Sequence, residues 1–369
     1  MSGCTRPPPE LQILNYADVQ DPSVDLSAKI EKSFGPGGLG VIAIRNIPNF
    51  VESKAALLPQ AHTLAHLPSS ELQKLEDPTS LYNAGWSHGK EKLGDKPDFA
   101  KGSFYFNPLT DQPGTLEERD KYPVSYPCNV WPSGPMPTFE SSAKKLGLLM
   151  HEQVVALSVH IDKFVSSKVP NYPKDLVSEA MKTTEKAKGR LLYYFPLPDD
   201  AVAANAADSW IGWHNDSGFL TALAGDMYVN DETGEKISSP DETAGLYVVD
   251  REGESVKVSV PEDCMAVQLG ECTQIVSGGA LMATPHCVKG ANPGETGFKV
   301  ARISHPCFID TAPTFELRMP EGVTMEDVFK DALGESKVPP LKERWVEDGM
   351  TFGDFLGKTF EMYYAHTKK

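Results

Sequence analysis

Two side chains in the stretch Trp210-Ile-Gly-Trp-His-Asn-Asp-Ser-Gly-Phe-Leu-Thr-Ala-Leu223 have the types and spacing to hold a metal ion: His214 and Asp216. In an extended segment, residues i and i+2 project to one face. A neutral nitrogen and an anionic oxygen therefore stand side by side, while Asn215 points away and is expected to tolerate change. The tripeptide alone also reads as a hydrogen-bonded pair at a strand end, so a third donor must come from elsewhere. The other strongly placed histidine of the β-rich region is His286, in Ala283-Thr-Pro-His-Cys-Val288. Two histidines and one carboxylate leave open positions on an octahedral ion, the arrangement of non-haem Fe(II) oxygenases. Downstream, Arg302-Ile-Ser304 alternates so that a guanidinium and a hydroxyl share a face, and a buried arginine beside such a site needs an anion. His62 and His66 also share a face, at i, i+4 spacing on a helix, but no third ligand lies near them and they read as a polar helix face.

The elements that must position these groups fall into three regions. Residues 1–24, with three consecutive prolines, read as a loose arm. Helical patterns follow at Asp25–Phe34 and Val51–Leu67, with a strand at Gly40–Ile47. From Tyr82 to Pro137 the chain is rich in Gly, Pro and aromatics, and is expected to wrap against the body and shape a pocket. Phe139–Val169 carries Leu146, Met150, Val154, Leu157 and Ile161 at three- and four-residue spacings, the signature of a buried scaffold helix. From Arg190 to Phe308 the texture changes to short strands: Leu191–Phe195, Trp210–His214, Leu220–Ala224, Leu246–Asp250, Val256–Val260, Met265–Leu269, Gln274–Val276, Met282–His286 and Val300–Phe308. Strands at this count without interleaved helices predict an antiparallel sandwich or barrel, with a jelly roll the natural candidate. Helical patterns at Met325–Leu333 and Phe352–Tyr364 close the chain. The expected fold class is α+β: a double-stranded β-helix (jelly roll) core at 186–315, packed between a mixed helical region at 1–185 and C-terminal helices at 316–369 as one integrated domain.

Composition narrows the function classes. At 369 residues the chain can bury a large core, and its apolar content of 40% is ordinary for a globular protein. A formal charge of −16, from 51 acidic and 35 basic residues, argues against a nucleic-acid partner. No apolar run approaches membrane-spanning length, and no hydrophobic signal core is present, so neither a membrane nor a secretory destination is expected. The six scattered cysteines form no Cys-x-x-Cys pair and read as free thiols in a reducing, cytoplasmic compartment.

In order along the chain, Arg190-Leu-Leu-Tyr-Tyr-Phe-Pro196, His214-Asn-Asp216 with Leu220-Thr221, Gly245-Leu-Tyr-Val-Val249, Gly270-Glu-Cys272, Ser277-Gly-Gly279, His286 and Arg302-Ile-Ser304 resemble the core of the isopenicillin N synthase-like 2-oxoglutarate/Fe(II)-dependent dioxygenases. Phe34 through Ile47 and Leu67-Pro-Ser-Ser-Glu-Leu-Gln-Lys74 resemble the same family more loosely. The resemblance implies an oxidoreductase with a jelly-roll core that oxidises a small organic metabolite, with hydroxylation the expected outcome, using dioxygen. It also implies Fe(II) held by His214, Asp216 and His286, with 2-oxoglutarate as co-substrate and ascorbate as accompanying reductant. Arg302, Ser304 and Tyr194 would bind the co-substrate; Phe308 and Arg190 match positions that contact substrate. Two other readings stay open: an Fe(II) oxidase of this fold that dispenses with 2-oxoglutarate, and a catalytically silent ligand sensor. Leu192 stands where the family usually has Asn, and Glu271 where it has Asp. Gly290–Gly297 reads as an added loop between His286 and Arg302, and the polar insertion at Asp226–Thr243 reads either as a lid or as solvated ornament, with ornament favoured.

Overall fold

The β-branched and aromatic runs of the chain assemble into two main sheets that face one another, antiparallel but for one parallel pair at the edge of the larger, with helices over the outer face of the larger. The computed structural model describes residues 10–90, 92–93, 96–197, 210–250, 253–294, 296–330, 332 and 338–366. In chain order the strands are β1 (Gln12–Asn15), β2 (Val41–Arg45), β3 (Gly85–His88), the small hairpin β4 (Lys92–Leu93) and β5 (Lys96–Pro97), β6 (Lys101–Phe106), β7 (Ala187–Tyr194) and β8 (Ile211–His214). There follow β9 (Leu220–Asn230), β10 (Lys236–Ile237), β11 (Gly245–Val249), β12 (Ser255–Val258), β13 (Cys264–Leu269), β14 (His286–Lys289), β15 (Val300–Ile309), β16 (Glu316–Leu317) and β17 (Met350–Thr351). The large sheet runs β1-β2-β13-β9-β15-β7-β6-β3, with β10 paired to β9; the small one runs β12-β11-β14-β8.

Burial explains this arrangement. Val41 and Ala266 of the large sheet pack with Val248 and Val258 of the small one, and Leu192, Tyr194 and Tyr228 pack with Trp210 and Val288. On the other face, the helix Phe139–Lys168 buries Leu146, Met150, Val154, Leu157 and Ile161 in the same cluster as Ala222, Val229 and Ile303. Each such side chain taken out of water contributes about 1.5–3 kcal/mol, so this helix braces the sheet from behind. The glycine- and aromatic-rich stretch does wrap on the body: β3 and β6 extend the large sheet, and Trp86, Phe104 and Phe106 are buried in its core.

Several elements depart from the periodicity reading. Within the expected arm, Gln12–Asn15 is a strand pairing in parallel with β2, followed by the helix Tyr16–Gln20; residues 1–9 lie outside the described ones. Gln274–Val276, expected as a strand, ends a fully buried helix, Glu271–Val276, because the turn after β13 bonds back to Asp216 and Gly218 instead of to a neighbouring strand. Met282–His286 is not a strand either: β14 begins only at His286, after Pro285, which has no N–H to give to a ladder. The helix at Met325 is described to Phe329; Asp331 and Leu333 of the pattern Met325–Leu333, and Glu295 of Gly290–Gly297, lie outside the described residues. No helix among the described residues is long and apolar enough to cross a membrane. Cys128, Cys264, Cys272, Cys287 and Cys307 are free thiols.

On β15 the core-facing His305 stacks on Phe106 at 5.5 Å, nearly parallel, and is 1% exposed. Burial holds its pKa down to about 4. The unfolded chain takes that proton near pH 6.5, so between the two values the unfolded state binds more protons and stability falls as pH falls. His305 alone should cost on the order of 2 kcal/mol by pH 5. Urea midpoints of the wild type and His305→Phe, compared at pH 7 and pH 5, should show the smaller acid loss in the variant; equal losses would refute the assignment.

Candidate metal centre

The register of the small sheet brings the distant histidine to the His-x-Asp turn. β14 pairs antiparallel with β8 so that His286 lies directly opposite His214, with ring centroids 4.2 Å apart. Asp216 follows the end of β8, and its Oδ1 is 3.7 Å from His286 Nε2. One ligand atom from each of the three residues lies within 4.8 Å of the others, the only group of this kind among the described residues. The spacing argument and the register therefore converge on one cluster.

Backbone acceptors orient both rings. His214 Nδ1 donates to the Gly212 carbonyl at 2.8 Å, and His286 Nδ1 donates to the Thr284 carbonyl at 3.2 Å. Each Nε2 is thereby left with its lone pair free. The side-chain amide of Gln268, buried on β13, lies 2.6 Å from His286 Nδ1; with that nitrogen's proton given to Thr284, the amide bounds the ring by contact rather than by a second hydrogen bond. Such outer partners set ring orientation and basicity in metal sites. Burial pushes both imidazoles down to about 4, so they are neutral near pH 7, and the same burial raises the Asp216 carboxyl. Two neutral nitrogens and a poorly solvated carboxylate converging on one point form a donor set that a divalent cation would relieve, and one that suits Fe(II).

A polar network behind the centre was not legible in the sequence, and it corrects the expectation for Asn215. Its side chain donates to Glu271 Oε1 at 2.8 Å, and its backbone N–H donates to the Tyr363 hydroxyl at 3.0 Å. Glu271 is in turn clamped by Arg344: Nη1 donates to Oε2 at 2.5 Å and Nη2 donates to Oε1, both side chains being fully buried. Asn215 is thus a tether between the two ligands that flank it. The Glu271 N–H also donates to the Asp216 carbonyl at 2.8 Å.

The remaining expected residues line one cavity of about 710 Å3 over the cluster: Arg190, Tyr194, Arg302, Ser304 and Phe308 all border it. Arg302 and Ser304 share the cavity face of β15, with Tyr194 opposite Arg302 across the ladder. The Arg302 guanidinium lies 4.8 Å from the Tyr194 ring centre. Arg190 donates from Nε and Nη2 to Ser103 Oγ at 3.1 and 3.0 Å, and lies 5.1 Å from the ring of Tyr105. Phe308 is half-buried on the cavity side rather than sealed in the core. The insertion at Asp226–Thr243, favoured as ornament, is a wall of the site: β9 runs on through it to Asn230, β10 folds back, and Asp226, Tyr228, Lys236 and Ile237 border the cavity. His62 and His66 stand apart from it, His62 Nε2 contacting the Asp231 carbonyl at 2.9 Å.

No protein-family model matches the sequence, and no curated protein matches it. Solved structures do. A 2OG-Fe(II) oxygenase family protein from Caulobacter crescentus superposes with a TM-score of 0.62 at 18% identity, over 95% of this chain and 98% of its own. A full-length Neurospora crassa protein in complex with alpha-KG gives 0.61 at 18% identity, over 99% and 98%. JOX2 in complex with 2OG, Fe and JA gives 0.62 at 16%, over 95% and 85%. The chain has the fold of the 2OG-Fe(II) oxygenases, in agreement with the family its motifs resemble.

Proposed function

We propose that the protein is an isopenicillin N synthase-like, 2-oxoglutarate/Fe(II)-dependent dioxygenase that oxidises, by hydroxylation, a small organic metabolite. The convergence of His214, Asp216 and His286 at the floor of the 710 Å3 cavity carries this reading. We read the alternation of β7 to β15 between the two sheets as a double-stranded β-helix. The N-terminal strands that complete the large sheet and the C-terminal helices belong to the same folding unit in this reading.

His214, Asp216 and His286 would hold Fe(II), which when bound supplies the activation of dioxygen. Gly212, Thr284 and Gln268 keep both Nε2 lone pairs turned inward, so the ring orientation is set before the metal arrives. Arg302 and Ser304 would take the distal carboxylate of 2-oxoglutarate, with the Tyr194 ring supporting the guanidinium. The fork of an arginine suits a carboxylate as an ammonium does not. Two of its nitrogens, Nε and Nη1, are buried without a hydrogen-bond partner, which favours an anion as their occupant. Leu223, Leu246 and Val258 on the cavity wall would exclude water from the reacting bond, with Phe308 and Arg190 contacting substrate. The balance is 2-oxoglutarate, dioxygen and R–H giving succinate, carbon dioxide and R–OH.

A second reading, an Fe(II) oxidase that does not use 2-oxoglutarate, is favoured by one observation: Arg302 already has a carboxylate partner in Asp226. Titrating 2-oxoglutarate into the anaerobic Fe(II) protein separates the two. The first predicts a visible charge-transfer band that is lost in Arg302→Leu, and succinate on admission of air with ascorbate. Fe(II) binding with no band supports the second.

A further inference from the structure

The side chain facing Arg302 is there because of a single bulge. Along β9 and β15, Phe308 pairs with Thr221 and Pro306 with Leu223, but Ser304 then pairs with Asp226 and Arg302 with Tyr228. Two steps on β15 span three on β9. Ala224 and Gly225 together oppose His305, and Gly225 takes the extra residue at φ +87°, where side chains are strained. In an unbroken strand Leu223 and Asp226 would project to opposite faces. The bulge turns both toward the cavity, and Arg302 Nη2 donates to Asp226 Oδ1.

This contact sets two carboxylates in competition for one cation. Arg302 is 4% exposed, while the Asp226 side chain is 33% exposed at the cavity wall. A second cation waits beside the bulge. Lys54, 7% exposed, brings its ammonium to 3.1 Å from the position a Cβ on Gly225 would occupy. Its Nζ donates to the Glu262 carbonyl at 3.0 Å, and the charge of Asp226 acts on it. Lys54 therefore has donors to spare for a carboxylate at residue 226.

We propose that Asp226 is a displaceable latch on the co-substrate arginine: 2-oxoglutarate takes the guanidinium of Arg302 from Asp226, which transfers to Lys54. The proposal rests on the reading of Arg302 as the co-substrate anchor. In the latched state Asp226 compensates a buried guanidinium that would otherwise be unpaired. Displacement exchanges one carboxylate for another on Arg302, so only a ligand with a further hold on the site wins. 2-Oxoglutarate has that hold in its keto acid; succinate lacks it. Asp226 thereby sets the co-substrate affinity, favours release of the spent acid, and discriminates against simple dicarboxylates.

The test is a set of binding measurements on the anaerobic Fe(II) protein, reading the dissociation constants of 2-oxoglutarate and succinate by calorimetry. Asp226→Asn and Asp226→Ala are expected to bind 2-oxoglutarate about tenfold more tightly and to gain still more for succinate. Lys54→Met is expected to weaken 2-oxoglutarate binding several-fold in the wild-type background and to have no effect in Asp226→Ala, a coupling that mere loss of negative charge would not produce. If the wild type binds 2-oxoglutarate and both Asp226 variants, folded by circular dichroism and holding Fe(II), bind it no more tightly, the latch is overturned and the co-substrate reading stands. Fe(II) binding without 2-oxoglutarate binding in the wild type and in both variants overturns the co-substrate reading, and the latch with it. Binding that appears only in the variants supports both.

Discussion

Glu271→Ala is expected to destabilise the protein by about 3–5 kcal/mol, because it leaves the Arg344 guanidinium buried without its counter-charge. Arg344 also donates to the Pro339 carbonyl from Nε and Nη2 at 3.2 and 3.0 Å and to Thr359 Oγ1 at 3.3 Å, and two neutral acceptors do not replace a carboxylate. The same substitution unties Asn215, so Fe(II) affinity should fall as well, by about 10–100-fold if the network behaves as an outer shell of the centre. Stability and metal binding can be separated with a second variant. Replacing both members, Glu271→Leu with Arg344→Met, removes both desolvated charges and should recover most of the lost stability, yet Asn215 remains untethered and the metal affinity stays low. Urea unfolding together with Fe(II) titration reads both quantities. A double variant that recovers neither, or a single variant as stable as the wild type, would contradict the account.

Asp216→Ala should abolish conversion of 2-oxoglutarate to succinate and weaken Fe(II) by more than about 100-fold, a larger loss than outer-shell changes give. Its effect on the metal-free protein should have the opposite sign. Burial raises the Asp216 carboxyl, which means that the folded state disfavours the charged form carried at neutral pH. Removing the carboxylate therefore leaves the apo protein at least as stable as before, while the stabilisation that saturating Fe(II) confers, about 2.7 kcal/mol at a hundred times Kd, disappears. Thermal melts of both proteins with and without Fe(II) give the comparison. An apo variant clearly less stable than the wild type, or one that Fe(II) still stabilises, would contradict the role given to Asp216.

The parts of the site that were legible in the sequence are those governed by local periodicity. His214 and Asp216 follow from i, i+2 alternation, Arg302 and Ser304 from the same rule, and the family resemblance linked them to His286. Asn215 was misjudged by that rule: pointing away from the ligands placed it against Glu271, and the partner that makes this matter, Arg344, lies far downstream on an unrelated element. Gln268 sits in a strand whose every residue is buried, so nothing in its pattern separates a ring-orienting amide from packing. Asp226 was hidden because a bulge breaks strand parity, and Ala224-Gly225-Asp226 looks like the start of a turn. The misread strand at Gln274–Val276 shows tertiary bonding overriding the β propensity of Ile275 and Val276.

The position of β15 has a consequence for how the protein comes to be made. It lies between β9 and β7 in the middle of the large sheet, yet it is the last of that sheet's strands in the sequence. On a growing chain β7 and β9 are synthesised well before the strand that joins them, each with an open row of N–H and C=O groups. Closure must bring together segments separated by about a hundred residues, a non-local pairing of the kind that makes folding slow and leaves intermediates prone to aggregate. Arg302 arrives on that same closing strand, so placing the proposed co-substrate arginine and completing the sheet are one folding event.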